Sequence, residues 1–136
     1  LANANYEDVL QLLRSLNYNR TKAKNIINCC KMLVSDFNGK VPDNIDDLVK
    51  LPGVGRKTAN LVLGELYNKD TICVDTHVHR IANVFGFVKT KNATETEYAL
   101  EKLAPRKYWS RINRIFVLWG KDVPGKDKKR FMKKLD

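Results

Sequence analysis

Residues 51–60 read LPGVGRKTAN, which gathers a proline, two glycines, an arginine and a lysine into one corner of the chain. Leu51 can close one helix and Pro52 stops it, while Gly53 and Gly55 permit backbone angles closed to other residues. With no side chain at either glycine, the amides of the turn can approach an external group closely. A second helix begins at once, so its first-turn N–H groups and the positive end of its dipole face the same way. Such a corner is a phosphate site indifferent to base sequence, and Arg56 adds charge to it. The competing reading is a tight helix–helix turn in which the glycines serve geometry alone.

Outward from this corner the dominant period is helical. Tyr6, Val9, Leu10, Leu13 and Leu16 fall on one face of a helix expected over Tyr6–Leu16. Asn17 to Arg20 is polar, and Thr21 can cap a second helix that carries Ala23, Ile26, Ile27, Cys30, Leu33, Val34 and Phe37 and stops at Asn38-Gly39. After a turn at Val41, Pro42 and Asp43, a short helix with Ile45, Leu48 and Val49 leads into the corner. Ala59, Leu61, Val62 and Leu66 support a helix over Lys57–Tyr67 beyond it. The run TICV is extended and apolar, and too short for a sheet by itself. Asp75-Thr76 offers an N-cap for a helix bearing Val78, Ile81, Ala82 and Phe85. Thr94 and Glu97 have capping-box spacing for a helix through Leu103. Pro105 breaks the chain, and Trp109, Ile112, Phe116 and Trp119 mark one face of a last helix, with both tryptophans expected in the core. No segment alternates over a sustained length and no repeat is evident, so the expected class is all-α, with about seven short helices.

At 136 residues with 43% hydrophobic content, the chain is long enough for one core. The expected division is one helical domain over residues 1–120, with the corner and its flanking helices at about 44–67, and a basic tail over 121–136. The tail holds Lys121, Lys126, Lys128, Lys129, Arg130, Lys133 and Lys134 against three acids, and reads either as a frayed or DNA-facing arm or as a solvated terminus. Lys and Arg number 25 against 15 Asp and Glu, a net charge of +10, which points to a polyanionic partner such as nucleic acid. Cys29, Cys30 and Cys73 are odd in number and two are adjacent, so they build no disulfide framework and fit a reducing compartment. No apolar run approaches the roughly 20 residues that cross a bilayer, so no membrane partner is expected. LANANYEDVL lacks a basic region followed by an apolar stretch, and the chain reads as intracellular without a secretion signal.

LPGVGRKTAN resembles the helix-hairpin-helix of the endonuclease III family of DNA glycosylases. A second stretch, ICVDTHVHRIAN at residues 72–83, resembles another signature of that family and puts Asp75 eighteen residues after Lys57. EKLAPRKYWSRINRIFVLWG, residues 101–120, looks like the following helix of eukaryotic members. The resemblance runs from about Tyr6 to Gly120. It implies the helix-hairpin-helix DNA glycosylase fold, with Lys57 as nucleophile and Asp75 as its carboxylate partner. The expected DNA contacts are Leu51, Gly53, Val54, Gly55, Arg56, Lys57 and Thr58 of the hairpin, together with His77.

That chemistry suits these residue types. A damaged base inside a duplex is out of reach, so its nucleotide must be rotated out while the backbone is held. A lysine amine that attacks C1′ forms an imine, which lets a proton leave C2′ and expels the 3′ phosphate. Attack requires the neutral amine, which burial, Arg56 and the helix N-terminus would each favour. Asp75 can stabilise positive charge on the sugar as the base departs, or serve only as an N-cap. His77 and His79 beside Cys73 and Asp75 raise a metal reading, but residues two apart on a helix point to different sides, so no metal is expected.

The resemblance implies a bifunctional glycosylase and abasic-site lyase of base excision repair, acting on oxidised pyrimidines in double-stranded DNA. A non-catalytic helix-hairpin-helix DNA-binding module and a monofunctional glycosylase of the same superfamily are the alternatives. Many relatives hold an iron–sulfur cluster on four cysteines after the last helix. GKDVPGKDKKRFMKKLD, residues 120–136, has no cysteine, so no cofactor is expected. Relatives also carry helices before the segment that starts here. The expected fold is therefore an N-terminally truncated one, which leaves a homodimer open as cover for an exposed apolar face. The eukaryotic character of VDTHVHRIAN suggests the nucleus.

Overall fold

The computed structural model describes residues 1–123, 125, 129, 132 and 133. Most of the basic tail (Lys126, Lys128, Arg130 and Lys134 among it) lies outside the described residues. Seven α-helices occur among the described residues: α1 Tyr6–Leu12, α2 Asn19–Asp36, α3 Ile45–Leu48, α4 Arg56–Tyr67, α5 Thr76–Val84, α6 Ala93–Leu103 and α7 Trp109–Asp122. A 3₁₀ turn at Arg106–Tyr108 precedes α7. The all-α class holds, and the chain divides into two compact units, residues 1–59 and 60–136.

In the first unit α1 opens on Asn5, whose side chain accepts from the Glu7 N–H at 2.8 Å. Helices α1 and α2 pair through a small core of Val9, Ala23 and Ile27, with Leu10 and Leu13 against it. Two boundaries differ from expectation. Helix α1 stops at Leu12, and the chain then turns through backbone bonds such as Leu16 N–H to Leu13 O, so Leu16 stays exposed. Helix α2 starts two residues before Thr21, after Tyr18 in a left-handed conformation, and no hydroxyl caps it. It ends where expected: Asn38 and Gly39 take positive φ, and the Gly39 N–H returns to Leu33 O at 2.7 Å. Asn44 caps α3 by accepting from Asp47 N–H, and its amide donates to the Asp47 carboxylate. Leu48 and Leu51 are buried beneath the corner that follows.

In the second unit the extended run at 71–74 puts Ile72, Cys73 and Val74 inside. It meets no strand. Side-chain amides take the role of a ladder: Asn60 donates to Ile72 O at 3.3 Å and Asn113 to Cys73 O at 2.8 Å. Ile72, Val74, Val78, Ala82, Val88 and Leu100 form the core, closed by Trp109, Ile112 and Phe116 of α7. Both tryptophans sit at the core's edge, half-buried; Trp119 stacks on Phe85 at 4.8 Å between centroids. Helix α6 is capped two residues earlier than expected. Asn92 accepts from Glu95 N–H at 2.9 Å, and the Glu95 carboxylate accepts from the Asn92 amide and the Lys91 N–H. Thr94 therefore lies inside the helix, while Glu97 is buried.

Candidate functional site

The hairpin residues stand together in the first unit. Val54 N–H bonds Leu51 O at 3.0 Å to close the turn, and Gly55 O accepts from Ala59 N–H at 2.9 Å as α4 begins. The two glycines differ in kind. Gly53 has φ +79°, and a Cβ there would lie 2.9 Å from the Asn25 Cβ, so the fold itself demands glycine. Gly55 has no positive φ, and a Cβ there would meet nothing within 4 Å. Its missing side chain therefore leaves open space and relieves no contact among the described residues. Leu51 is buried and anchors the turn; Gly53, Gly55, Lys57 and Thr58 are exposed, and Val54 and Arg56 are half-buried.

Arg56 and Lys57 occupy the first turn of α4, which carries no acidic residue. Two cations at a helix N-terminus are unfavourable to the helix, which makes them good partners for an anion held there. Lys57 is exposed, so the burial expected for its side chain is not found.

Beside the turn, Leu13, Leu16, Ile26, Cys29, Cys30, Pro52 and Val54 line most of an apolar cavity of about 410 Å³. Cys29 and Cys30 are half-buried there, and burial, then the neighbouring Cys30, pushes the Cys29 thiol up.

In the second unit Asp75 is half-buried and caps α5, its Oδ1 accepting from the N–H groups of His77 and Val78 at 2.9 Å each. Both first-turn donors are thereby satisfied by one carboxylate oxygen. His77 packs on α7 so closely that a Cβ at Gly120 would lie 2.6 Å from its Nδ1. The two histidines turn to different neighbours, His77 to Arg80 at 3.3 Å and His79 to Thr96 at 2.7 Å, as a spacing of two on a helix requires. Among the described residues no group of three or more His, Cys, Asp and Glu could hold a metal ion.

Sequence reasoning missed three supports. Arg80 donates to Gly120 O and Gly125 O at 2.7 Å each, which fixes the end of α7 beside α5. Asn25 wedges against Gly53, and Thr96 holds His79. Their partners lie 17 to 45 residues away or on another helix, and no local spacing signals them.

Residues 1–106 match the family described as HhH-GPD superfamily base excision DNA repair protein. Over 123 residues the chain is 46% identical to endonuclease III of Thermotoga maritima, covering 90% of this chain and 58% of that protein. It aligns with the structure of a trapped endonuclease III–DNA covalent intermediate at TM-score 0.82 and 39% identity, over 88% of this chain and 57% of that one. A thermostable thymine-DNA glycosylase shares the fold at TM-score 0.76 and 19% identity, over 93% of this chain and 60% of that one. The chain thus belongs to the HhH-GPD superfamily of base excision DNA repair proteins and, within it, to the endonuclease III family. It spans a little over half the length of these relatives. Its relatives are mostly bacterial, so they lend no support to a eukaryotic character or a nuclear setting. No helix among the described residues is long and apolar enough to cross a membrane.

Proposed function

We propose that the chain is a DNA glycosylase and abasic-site lyase that acts on oxidised pyrimidines in duplex DNA, with Lys57 as nucleophile and Asp75 as the carboxylate that stabilises the sugar cation. The hairpin residues Gly53, Val54, Gly55, Arg56 and Thr58 hold the phosphates over the buried Leu51, which was expected as a contact and instead anchors the turn, and His77 adds a contact from α5. Residues 1–120 act as the glycosylase domain and residues 121–136 as a basic arm. The observation that carries this reading is the likeness, at 39% identity, to an endonuclease III captured in a covalent intermediate with DNA. The open side of Gly55 and the cationic first turn of α4 supply the local chemistry. Base loss leaves an aldehyde at C1′; the lysine amine condenses with it, and elimination of the 3′ phosphate follows.

The test is borohydride reduction in the presence of duplex DNA with one abasic site. The expected result is a covalent complex that Lys57→Ala reduces to background. A complex that survives this substitution removes Lys57 from the role. Salt-sensitive duplex binding with no trapping and no nicking would leave a non-catalytic hairpin module, the second reading that the exposed turn also fits.

A further inference from the structure

His77 and His79 differ in which nitrogen carries the proton, and hydrogen-bond counting fixes both. Thr96 Oγ1 is fully buried and touches three groups: Asn92 O at 2.9 Å, Thr90 Oγ1 at 2.6 Å and His79 Nδ1 at 2.7 Å. Its one proton goes to Asn92 O, a carbonyl that can only accept. Thr90 must then donate to Thr96, and it is free to do so because its own oxygen accepts from the Asn83 amide at 3.0 Å. The Asn83 orientation is pinned by two backbone groups: its Oδ1 accepts from Thr90 N–H and its Nδ2 donates to His79 O, both at 2.8 Å. Both Asn83 amide protons are therefore committed, at 2.8 and 3.0 Å, and the approach of Nδ2 to His79 Nδ1 is the longest of the three at 3.4 Å. Only a proton on Nδ1 completes the set, so neutral His79 carries its lone pair on Nε2.

That lone pair is accessible. His79 Nε2 has no hydrogen-bond partner among the described residues, and none of their buried side-chain nitrogens lacks one, so Nε2 opens to solvent. Its position matters too. The His79 N–H closes the first turn of α5 on Asp75 O at 2.9 Å, which puts the imidazole one turn along the same face as Asp75. Because Nδ1 is a donor in both the neutral and the cationic ring, Nε2 can gain and lose a proton with no change in the network behind it. His77 is the opposite case: Arg80 donates to its Nδ1 at 3.3 Å, so a second proton there would meet a guanidinium. Of the charged groups on the helices around His79, Arg80 is held on Gly120 O and Gly125 O, Glu95 caps α6, Asp75 caps α5, and Glu97 is buried next to Thr96.

We infer that His79 is the proton-accepting residue of the lyase step, an assignment that rests on the lyase reading above. A sugar held with C1′ at Asp75 carries C2′ one bond further. Nε2 removes a proton from C2′ of the imine; the C–H pair becomes the C1′–C2′ double bond of an enamine, and the iminium pair returns to the lysine nitrogen. The nitrogen pair then re-forms the C1′–N double bond, the C1′–C2′ pair becomes the C2′–C3′ double bond, and the C3′–O bond breaks with its electrons on the phosphate. Nε2 releases its proton to water.

The test uses His79→Asn in the full chain. The asparagine amide sits where Nδ1 was and keeps an N–H for Thr96, but it has no second nitrogen. Parent and variant are compared for borohydride trapping and for single-turnover nicking of the same abasic duplex. The expected result is parental trapping with nicking slowed at least about tenfold, partly restored by added imidazole. Equal nicking rates overturn the inference and leave the lyase reading intact; a parent that neither traps nor nicks overturns both. A second measurement needs no variant: ¹⁵N NMR of the histidine rings in the free parent. It should show the proton of neutral His79 on Nδ1, and finding it on Nε2 overturns the inference.

Discussion

Helix α4 begins on Gly55, which brings no side chain to the turn, whereas α5 begins on Asp75, whose carboxylate accepts from two N–H groups. Every helix start leaves N–H groups that no intrahelical carbonyl reaches. At α5 the chain answers that need itself, and in doing so fixes the carboxylate rigidly. At α4 it offers a bare glycine with open space around it and two cations in the first turn. On the proposed function, one start holds a charge of its own and the other receives a charge from outside, so grip and charge stabilisation fall to two helix ends of opposite construction.

The sharpest way to break this comparison is at Asp75, where cap and chemistry share one carboxylate. Asn caps about as well as Asp, so Asp75→Asn should leave thermal stability within about 0.5 kcal/mol of the parent. Single-turnover base excision should nevertheless fall by about 10²–10³, the loss expected for one group that faces transition-state charge. Asp75→Ala should lose the same activity and about 1–2 kcal/mol of stability besides. If Asp75→Asn excises at the parental rate, the carboxylate is a cap and nothing more.

The two hairpin glycines give the next largest effects, and they should part company. Gly53→Ala forces a left-handed residue with a Cβ against Asn25, and should lower stability by about 2–4 kcal/mol in a denaturant melt. Gly55→Ala meets open space, so stability should fall by no more than about 1 kcal/mol. Duplex binding should still weaken over tenfold, about the strength of one hydrogen bond to a charged phosphate. Should Gly55→Ala bind duplex like the parent, the turn is a structural corner, and α4 loses its contrast with α5.

Much of this contrast was legible in the sequence because it is local. Pro52, Gly53 and Gly55 announce a turn, and Asp75 before Thr76 announces a cap; both act within a few residues. What was not legible depends on what packs above. Two capping-box spacings overlap, Asn92 with Glu95 and Thr94 with Glu97, and of these four residues only Glu97 is buried, with its neighbour Thr96. The core took Thr96 and Glu97, which left Asn92 and Glu95 at the surface to cap. The same holds for Gly53, whose need for glycine is half conformational and half the presence of Asn25 from α2. Leu16 shows the converse: it keeps the helical period of α1, yet the helix stops before it.

The smallest effect sharpens the comparison from the side of the hairpin. Helix α3, which leads into the turn, is closed by Asn44 and Asp47, with Lys50 2.7 Å from the Asp47 carboxylate. The Lys50 ammonium, then the Asn44 amide, holds the Asp47 carboxyl below its ordinary value, and Asp47 raises Lys50 in turn. The signs follow from linkage. A depressed carboxyl contributes stability that is fully present above its ordinary value and lost as pH falls through the folded one. A raised lysine contributes stability that is present below its ordinary value and lost as pH rises through the folded one. The pair should therefore support α3 across the neutral range and release it at both extremes. Both side chains are well hydrated, so the change is smaller than any above and falls with salt. Protection factors of the amides of residues 45–51 against pH should fall at the acid end in the parent, and Asp47→Asn should flatten that fall. Protection that is equal in parent and variant at every pH would mean that the turn is held from Leu48 and Leu51 beneath it, with no contribution from the charges above.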